Sequence, residues 1–368
     1  MRVNAPHDPS RLLPVDDTLN ADQAYRLASE GTRLVWQGDF HNAKQLMQAM
    51  ARRIDQSAKR RSKKPAPAPE GLHPAAHAFH LHRQAQAHRA RILGSIVLPM
   101  AGDYAIALRR APNVQQACTE AWGSSKGEDV YISLRELLGV IGAHEWRKKG
   151  VEIPVLGTPP NNRIHPYYGV FSPVRGEYID LVDQAPLPSQ ALAFDIGVGT
   201  GVLSAVLAKR GVQHVVATDQ DPQALACAQD NLQRLGLASQ VSLQQTDLFP
   251  AGTAPLIVCN PPWVPARPSS PIEHAVYDEG SAMLKGFLSG LRAHLAPDGE
   301  GWLVLSDLAE HLHLRSREEL LQWINEGGLC VIDRLDIRPR HNKVTDTNDP
   351  LHKARAAEIT SLWRLGAA

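Results

Sequence analysis

The chain has 368 residues, 43% apolar and 21% charged, with 39 Lys/Arg against 38 Asp/Glu. That is the composition of a globular protein of two or three domains, and it excludes collagen-like, coiled-coil and disordered chains. No apolar run reaches the ~18–20 residues of a membrane span, and residues 1–14 lack the apolar stretch of a signal peptide.

In chain order, residues 21–30 and 39–55 carry helical spacing, with Leu46, Met50 and Ile54 at steps of four. Residues 52–64 gather seven Lys/Arg around one Asp, and Lys64-Pro65-Ala66-Pro67-Ala68-Pro69 follows. Each proline removes a donor and fixes φ, so 61–74 is read as an exposed basic linker. Residues 75–98 read as one long helix that Pro99 ends, and 103–110 and 113–121 as shorter ones. His73, His77 and His80 could share a helix face, but no carboxylate or cysteine joins them, and no metal site is expected. Cys118, Cys227, Cys259 and Cys330 lie far apart without a CxxC pair, which suits a reducing, cytoplasmic setting. Residues 1–186 hold 24 Lys/Arg and 18 Asp/Glu, a net of +6; residues 187–368 hold 15 and 20, a net of −5. The front half is expected to be mostly helical and contains no catalytic motif.

The rhythm changes after Pro188. Residues 191–196 form a short apolar run that meets glycines, the signature of a buried parallel strand. A helix over 202–210 and a strand over 215–218 follow. Asp221-Pro222 then supplies an N-cap with proline at the first helical position, and Gly236 stands where a C-terminal cap belongs. Further strands are expected at 241–245, 256–259, 302–306, 330–337 and 359–365, with helices at 281–295 and 317–326. Strands alternating with helices predict an α/β fold: a doubly wound, mostly parallel sheet that binds ligands at the carboxyl ends of its strands.

Four motifs lie at those ends. In Asp195-Ile196-Gly197-Val198-Gly199-Thr200-Gly201 the glycines let a ligand lie against the backbone at a helix amino terminus. The third glycine of a dinucleotide fingerprint would fall on Val202, and Asp195 would repel a diphosphate but attract an ammonium or sulfonium. Asp219, 24 positions later, can accept both hydroxyls of a ribose. Asp247 and Leu248 suit the amine edge and the face of an adenine. Asn260-Pro261-Pro262-Trp263 follows the fourth strand. Its prolines make the Asn260 side chain and the Pro261 carbonyl a rigid pair of acceptors for an NH2 group, and Trp263 offers a flat face to a planar substrate. Accepting from both N–H groups of a delocalised amine stabilises positive charge developing on its nitrogen.

These motifs resemble the class I S-adenosylmethionine-dependent methyltransferases that carry an (Asn/Asp)-Pro-Pro-aromatic motif. The likeness is to the "methyltransferase small" domains, which include protein-glutamine and ribosomal RNA N-methyltransferases. It implies a Rossmann-like seven-stranded sheet whose seventh strand is antiparallel, and S-adenosyl-L-methionine as cofactor. By resemblance, Asp195, Gly197, Gly199 and Gly201 cradle the methionine moiety, Asp219 binds ribose, Asp247 and Leu248 bind adenine, and Asn260 with Pro261 receives the amino group. Phe171, in Tyr168-Gly169-Val170-Phe171-Ser172-Pro173, falls in the segment that closes over the cofactor; a buried core position suits it equally. Trp263 departs from the Tyr common in glutamine and adenine methyltransferases. The expected layout is a helical segment over 1–60, the linker at 61–74, a helical recognition domain over 75–165 and a methyltransferase domain over 166–368. Residues 264–280 are read as a substrate-recognition loop, and Arg338, Arg340, His341 and Lys343 as a basic knot. The expected acceptor is a macromolecule, either a glutamine amide in a translation-machinery protein or a base amine in RNA or DNA. A cofactor-binding module without activity is the third alternative.

Overall fold

A computed structural model describes residues 11–62, 68–174, 176–268, 273, 275–340, 345–347 and 349–368. The chain divides into two compact units, Met1–Glu145 and Trp146–Ala368. Among the described residues no helix is long and apolar enough to cross a membrane.

The first unit is built on a sheet of four strands in the order β1-β2-β3-β4: β1 (Leu12–Val15), β2 (Arg33–Trp36), β3 (Ile96–Met100) and β4 (Val130–Ser133). The first three are parallel, and β4 runs antiparallel to β3. Its helices are α1 (Ala21–Ser29), α2 (Phe40–Ser62), α3 (Pro74–Leu93), α4 (Gln115–Trp122) and most of α5 (Leu134–Lys149), whose last turn belongs to the second unit. Leu46, Met50 and Ile54 of α2 are buried, as their spacing requires. Helices make up most of the regular structure of this unit, as expected, and the four-stranded sheet is an addition the sequence reading lacked. β3 begins inside the helix expected over 75–98, which ends at Leu93 with Gly94 as its cap. Ile92, Leu93, Ile96, Val97 and Leu98 are all buried, and such a continuous apolar run has no period to separate helix from strand. Residues 103–110 form turns rather than a helix. The stretches before and after the expected linker both lie in this unit. Residues 63–67 of that linker, like His341 and Lys343 of the basic knot, lie outside the described residues.

The second unit opens with a two-stranded ribbon, β5 (Val151–Glu152) and β6 (Arg163–Ile164), and with α6 (Glu177–Gln184). Then come β7 (Leu192–Ile196), α7 (Val202–Lys209), β8 (His214–Asp219), α8 (Pro222–Arg234), β9 (Val241–Gln245), β10 (Ala254–Cys259), α9 (Ala282–His294) and β11 (Leu295–Ser306). α10 (Leu308–His311), α11 (Arg317–Glu326), β12 (Leu329–Ile337), α12 (His352–Ala357) and β13 (Thr360–Ala367) complete it. Seven strands make one sheet in the order β12-β13-β11-β10-β7-β8-β9. β13 is antiparallel to both its neighbours, as expected of the last strand.

The sheet is wound on both faces because its strands bury both sets of side chains. Ala193, Val258, Trp302 and Val304 share one core with α6, α7 and α8. Phe194, Ile196, Ile257, Cys259, Leu303 and Leu305 point the other way and pack with α9 and α11. α8 starts where the sequence signals it: Asp221 accepts from the Gln223 N–H at 2.9 Å, with Pro222 in the first turn. Gly236 follows its end at φ +71°.

Candidate cofactor and acceptor site

Strand order reverses between β7 and β10, since β8 and β9 lie to one side and β10 and β11 to the other. A crevice outside the carboxyl ends opens at such a point. Register decides what lines it. Ile196 pairs with Thr218 on β8 and with Cys259 on β10, so Gly197 and Asn260 are the first residues to leave the two strands. Asp219 pairs with Gln245, and Thr246-Asp247-Leu248 leaves β9 next. The structure thus brings the glycine turn, Asp219, Asp247, Leu248 and Asn260 to one rim.

Gly197, Gly199 and Gly201 all have positive φ. At Gly201 the demand is double, since φ is +80° and a Cβ would lie 3.2 Å from the Ala228 backbone of α8. The Thr218 carbonyl accepts from the Gly197 and Val198 N–H groups at 2.9 and 2.8 Å, which folds the turn back onto β8. Asp219 is tied the same way: Oδ2 accepts from the Gly199 N–H at 3.1 Å and Oδ1 from the Asp221 N–H at 3.0 Å. Burial pushes its carboxyl above the usual range, against those two bonds.

Asp195 is placed differently from the open rim. Strand alternation turns it to the same face as Ala193, beneath α7, where it is 1% exposed and its Oδ2 accepts from Ser204 Oγ at 2.6 Å. Desolvation raises its pKa to about 6; the Ser204 hydrogen bond opposes this and the charge of Asp219 adds to it. Leu248 sits at φ +60°, and its carbonyl accepts from Thr218 Oγ1 at 2.6 Å. Two glycines one turn apart in α9 make room for this loop. A Cβ on Gly286 would lie 2.7 Å from the Leu248 side chain, and one on Gly290 2.6 Å from Phe249. Asp247 is exposed. Phe171 packs at the margin of the α7-side core with its ring 6.4 Å from that of Tyr178.

On the acceptor side, Asn260 is half-buried, and its Oδ1 accepts from the Trp263 indole N–H at 2.9 Å. Pro261 is buried, and Pro262 is half-buried beside Trp263. The loop that follows is held by a bridge between Val264 and Tyr277. It ends at Asp278, which accepts from the Met283 and Leu284 N–H groups at 3.1 and 3.2 Å and so caps α9. Residues 269–272 and 274 of this loop lie outside the described residues.

Three supporting residues escaped the sequence reading: Ser204, Thr218 and Asn231. Asn231 is fully buried; its Nδ2 donates to the Thr200 carbonyl at 3.0 Å, and its Oδ1 accepts from the His165 N–H at 2.7 Å. It anchors the glycine turn to α8. A signal existed, because Asn231 interrupts the apolar stripe Ala224, Cys227, Ala228 and Leu232, and a buried amide demands partners.

Residues 169–322 match the family model described as "Methyltransferase small domain". This segment, less than half of the chain, is similar to a methyltransferase small domain. Among curated relatives, the release factor glutamine methyltransferase of Cereibacter sphaeroides is 33% identical over 139 residues, covering 34% of this chain and half of that one. The tRNA1(Val) (adenine(37)-N6)-methyltransferase of Shewanella loihica is 28% identical over 182 residues, covering 46% of this chain and 72% of that one. Among solved structures, the ribosomal protein L11 methylase of Lactobacillus delbrueckii subsp. bulgaricus aligns with a TM-score of 0.38 at 19% identity, over 54% of this chain and 81% of that one. The crevice fits S-adenosylmethionine on physical grounds. A buried carboxylate with no cationic partner among the described residues, Asp195, suits a cation, and the backbone-anchored carboxylate of Asp219 suits a pair of hydroxyls.

Proposed function

We propose that this chain is an S-adenosylmethionine-dependent N-methyltransferase whose acceptor is a planar amino group, a glutamine side-chain amide in a protein of the translation machinery. The observation that carries the reading is the pairing of Cys259 with Ile196, which releases Asn260-Pro261-Pro262 from the sheet beside the glycine turn. The cofactor, when bound, supplies a methyl group activated by a sulfonium. Asp195, the glycine turn, Asp219, Asp247 and Leu248 would hold it. Asn260 Oδ1 and the Pro261 carbonyl accept the N–H groups of the acceptor, orient its nitrogen and stabilise the charge that develops there. Both are neutral, as suits an uncharged amide. The release factor relative supports the amide by its name. The adenine-N6 relative, matched over 72% of its own length, supports a nucleobase amine as second reading.

Labelled S-adenosylmethionine incubated with the protein and a cell extract, then split between protease and nuclease, separates the two. Label released only by protease supports the amide, and label released only by nuclease supports the base. Asn260→Ala should slow incorporation ~10²–10³-fold with cofactor affinity changed no more than a few fold. Wild-type incorporation by that variant removes Asn260 from the chemistry.

A further inference from the structure

The Asn260 and Trp263 side chains are joined directly, indole Nε1–H to amide Oδ1, at 2.9 Å. An indole nitrogen only donates, and of the two ends of an amide only the oxygen accepts. The bond therefore decides which way round the Asn260 amide sits. Turned over, it would set Nδ2 against Nε1–H, two donors face to face. Trp263 is a firm reference point for this, because its ring packs against both cores of the sheet and two prolines separate it from Asn260.

Resting on the reading of Asn260 as the receiver of the acceptor amine, we infer that Trp263 is a positioning residue whose indole N–H locks the orientation of the Asn260 amide. One lone pair of Oδ1 is spent on the indole, and the second is left for an acceptor N–H. The hydrogen bond gives residue 263 a polar duty beyond its flat face. Phenylalanine would keep the ring and lose the lock. An aspartate at 260 would need no lock, since both its oxygens accept.

A double substitution separates the lock from simple packing. Trp263→Phe should slow methyl incorporation into extract from labelled S-adenosylmethionine about tenfold, the worth of one oriented hydrogen bond. Cofactor affinity by calorimetry should stay within about twofold, because no cofactor contact is removed. In an Asn260→Asp background the same Trp263→Phe change should cost less than about twofold, since no amide is left to orient. Equal losses in both backgrounds would assign Trp263 to packing and overturn the lock. A second readout needs no turnover. Among the seven tryptophans, the ¹⁵N-indole resonance that disappears in Trp263→Phe should shift in Asn260→Ala while the others hold. A resonance that does not shift overturns the lock. So does wild-type incorporation by Trp263→Phe when Asn260→Ala is inactive. Wild-type incorporation by Asn260→Ala, by contrast, strikes the functional reading itself.

Discussion

Two buried carboxylates, Asp39 in the first unit and Asp195 in the second, are treated in opposite ways. Asp39 accepts from Arg110 Nε at 2.7 Å, Arg109 Nε at 2.8 Å and the His41 N–H at 2.9 Å. The Arg110 hydrogen bond, aided by the other two, holds its carboxyl well below the usual range. Asp195 accepts from the hydroxyl and the backbone N–H of Ser204 and meets no cation among the described residues, and its pKa rises to about 6. A carboxylate that serves the fold brings its counter-charge with it. On the proposed reading, Asp195 is left short of a positive charge for a cationic ligand, and the folded chain bears the cost until the ligand arrives.

The largest effect expected from testing this contrast is at Asp195 itself. The folded protein binds its proton more tightly than the unfolded chain, so stability falls as pH rises from 3.8 to about 6 and is level above. Asp195→Asn should then stabilise the cofactor-free protein at pH 7.5 by about 3 kcal/mol, read by denaturant unfolding, while weakening cofactor binding. In the wild type, affinity for the cationic cofactor should drop as pH falls below about 6. Asp39 must respond with the opposite sign: its contribution is present above the usual carboxylate range and is lost on acidification. Peptide-resolved hydrogen exchange at pH 7 and pH 2.5 should show first-unit segments around Asp39 loosening in acid and β7–α7 tightening. Movement of both segments in the same direction would dissolve the contrast.

A smaller effect is expected at Asp219, whose oxygens are held by backbone N–H groups rather than by a cation. Asp219→Ala should weaken cofactor affinity by ~1.5–3 kcal/mol, the worth of a charge-assisted bond to a hydroxyl. An unchanged calorimetric Kd would take Asp219 out of the ribose site. The smallest change sharpens the Asp195 side alone. Ser204→Ala removes the hydroxyl that opposes desolvation, so the acid limb of cofactor binding should move to higher pH. A limb that stays in place would mean that Asp195 is not the group titrating.

Much of the second unit was legible in the chain alone. Residues 241–245 and 317–326 match β9 and α11, and the other expected strands of the large sheet coincide with observed ones apart from their ends. β11 is the main exception, starting at Leu295 rather than 302. The first unit was less legible because β1, β2 and β4 are only four residues long. Four residues offer two positions per face, too few to establish alternation, and the tertiary sheet holds what local pattern could not announce.

By itself, the chain's order of residues determined the alternation of strands and helices, the glycine turn, the two aspartates at strand ends and the rigid Asn260-Pro261-Pro262. These follow from sterics and periodicities that act over a few neighbouring residues. The tertiary structure alone decided that Asp195 looks beneath α7 at Ser204, that Asn231 reaches Thr200 across thirty-one positions, and that the Trp263 indole holds the Asn260 amide. Strand order and helix docking set those meetings, and neither is written in the spacing of any one segment.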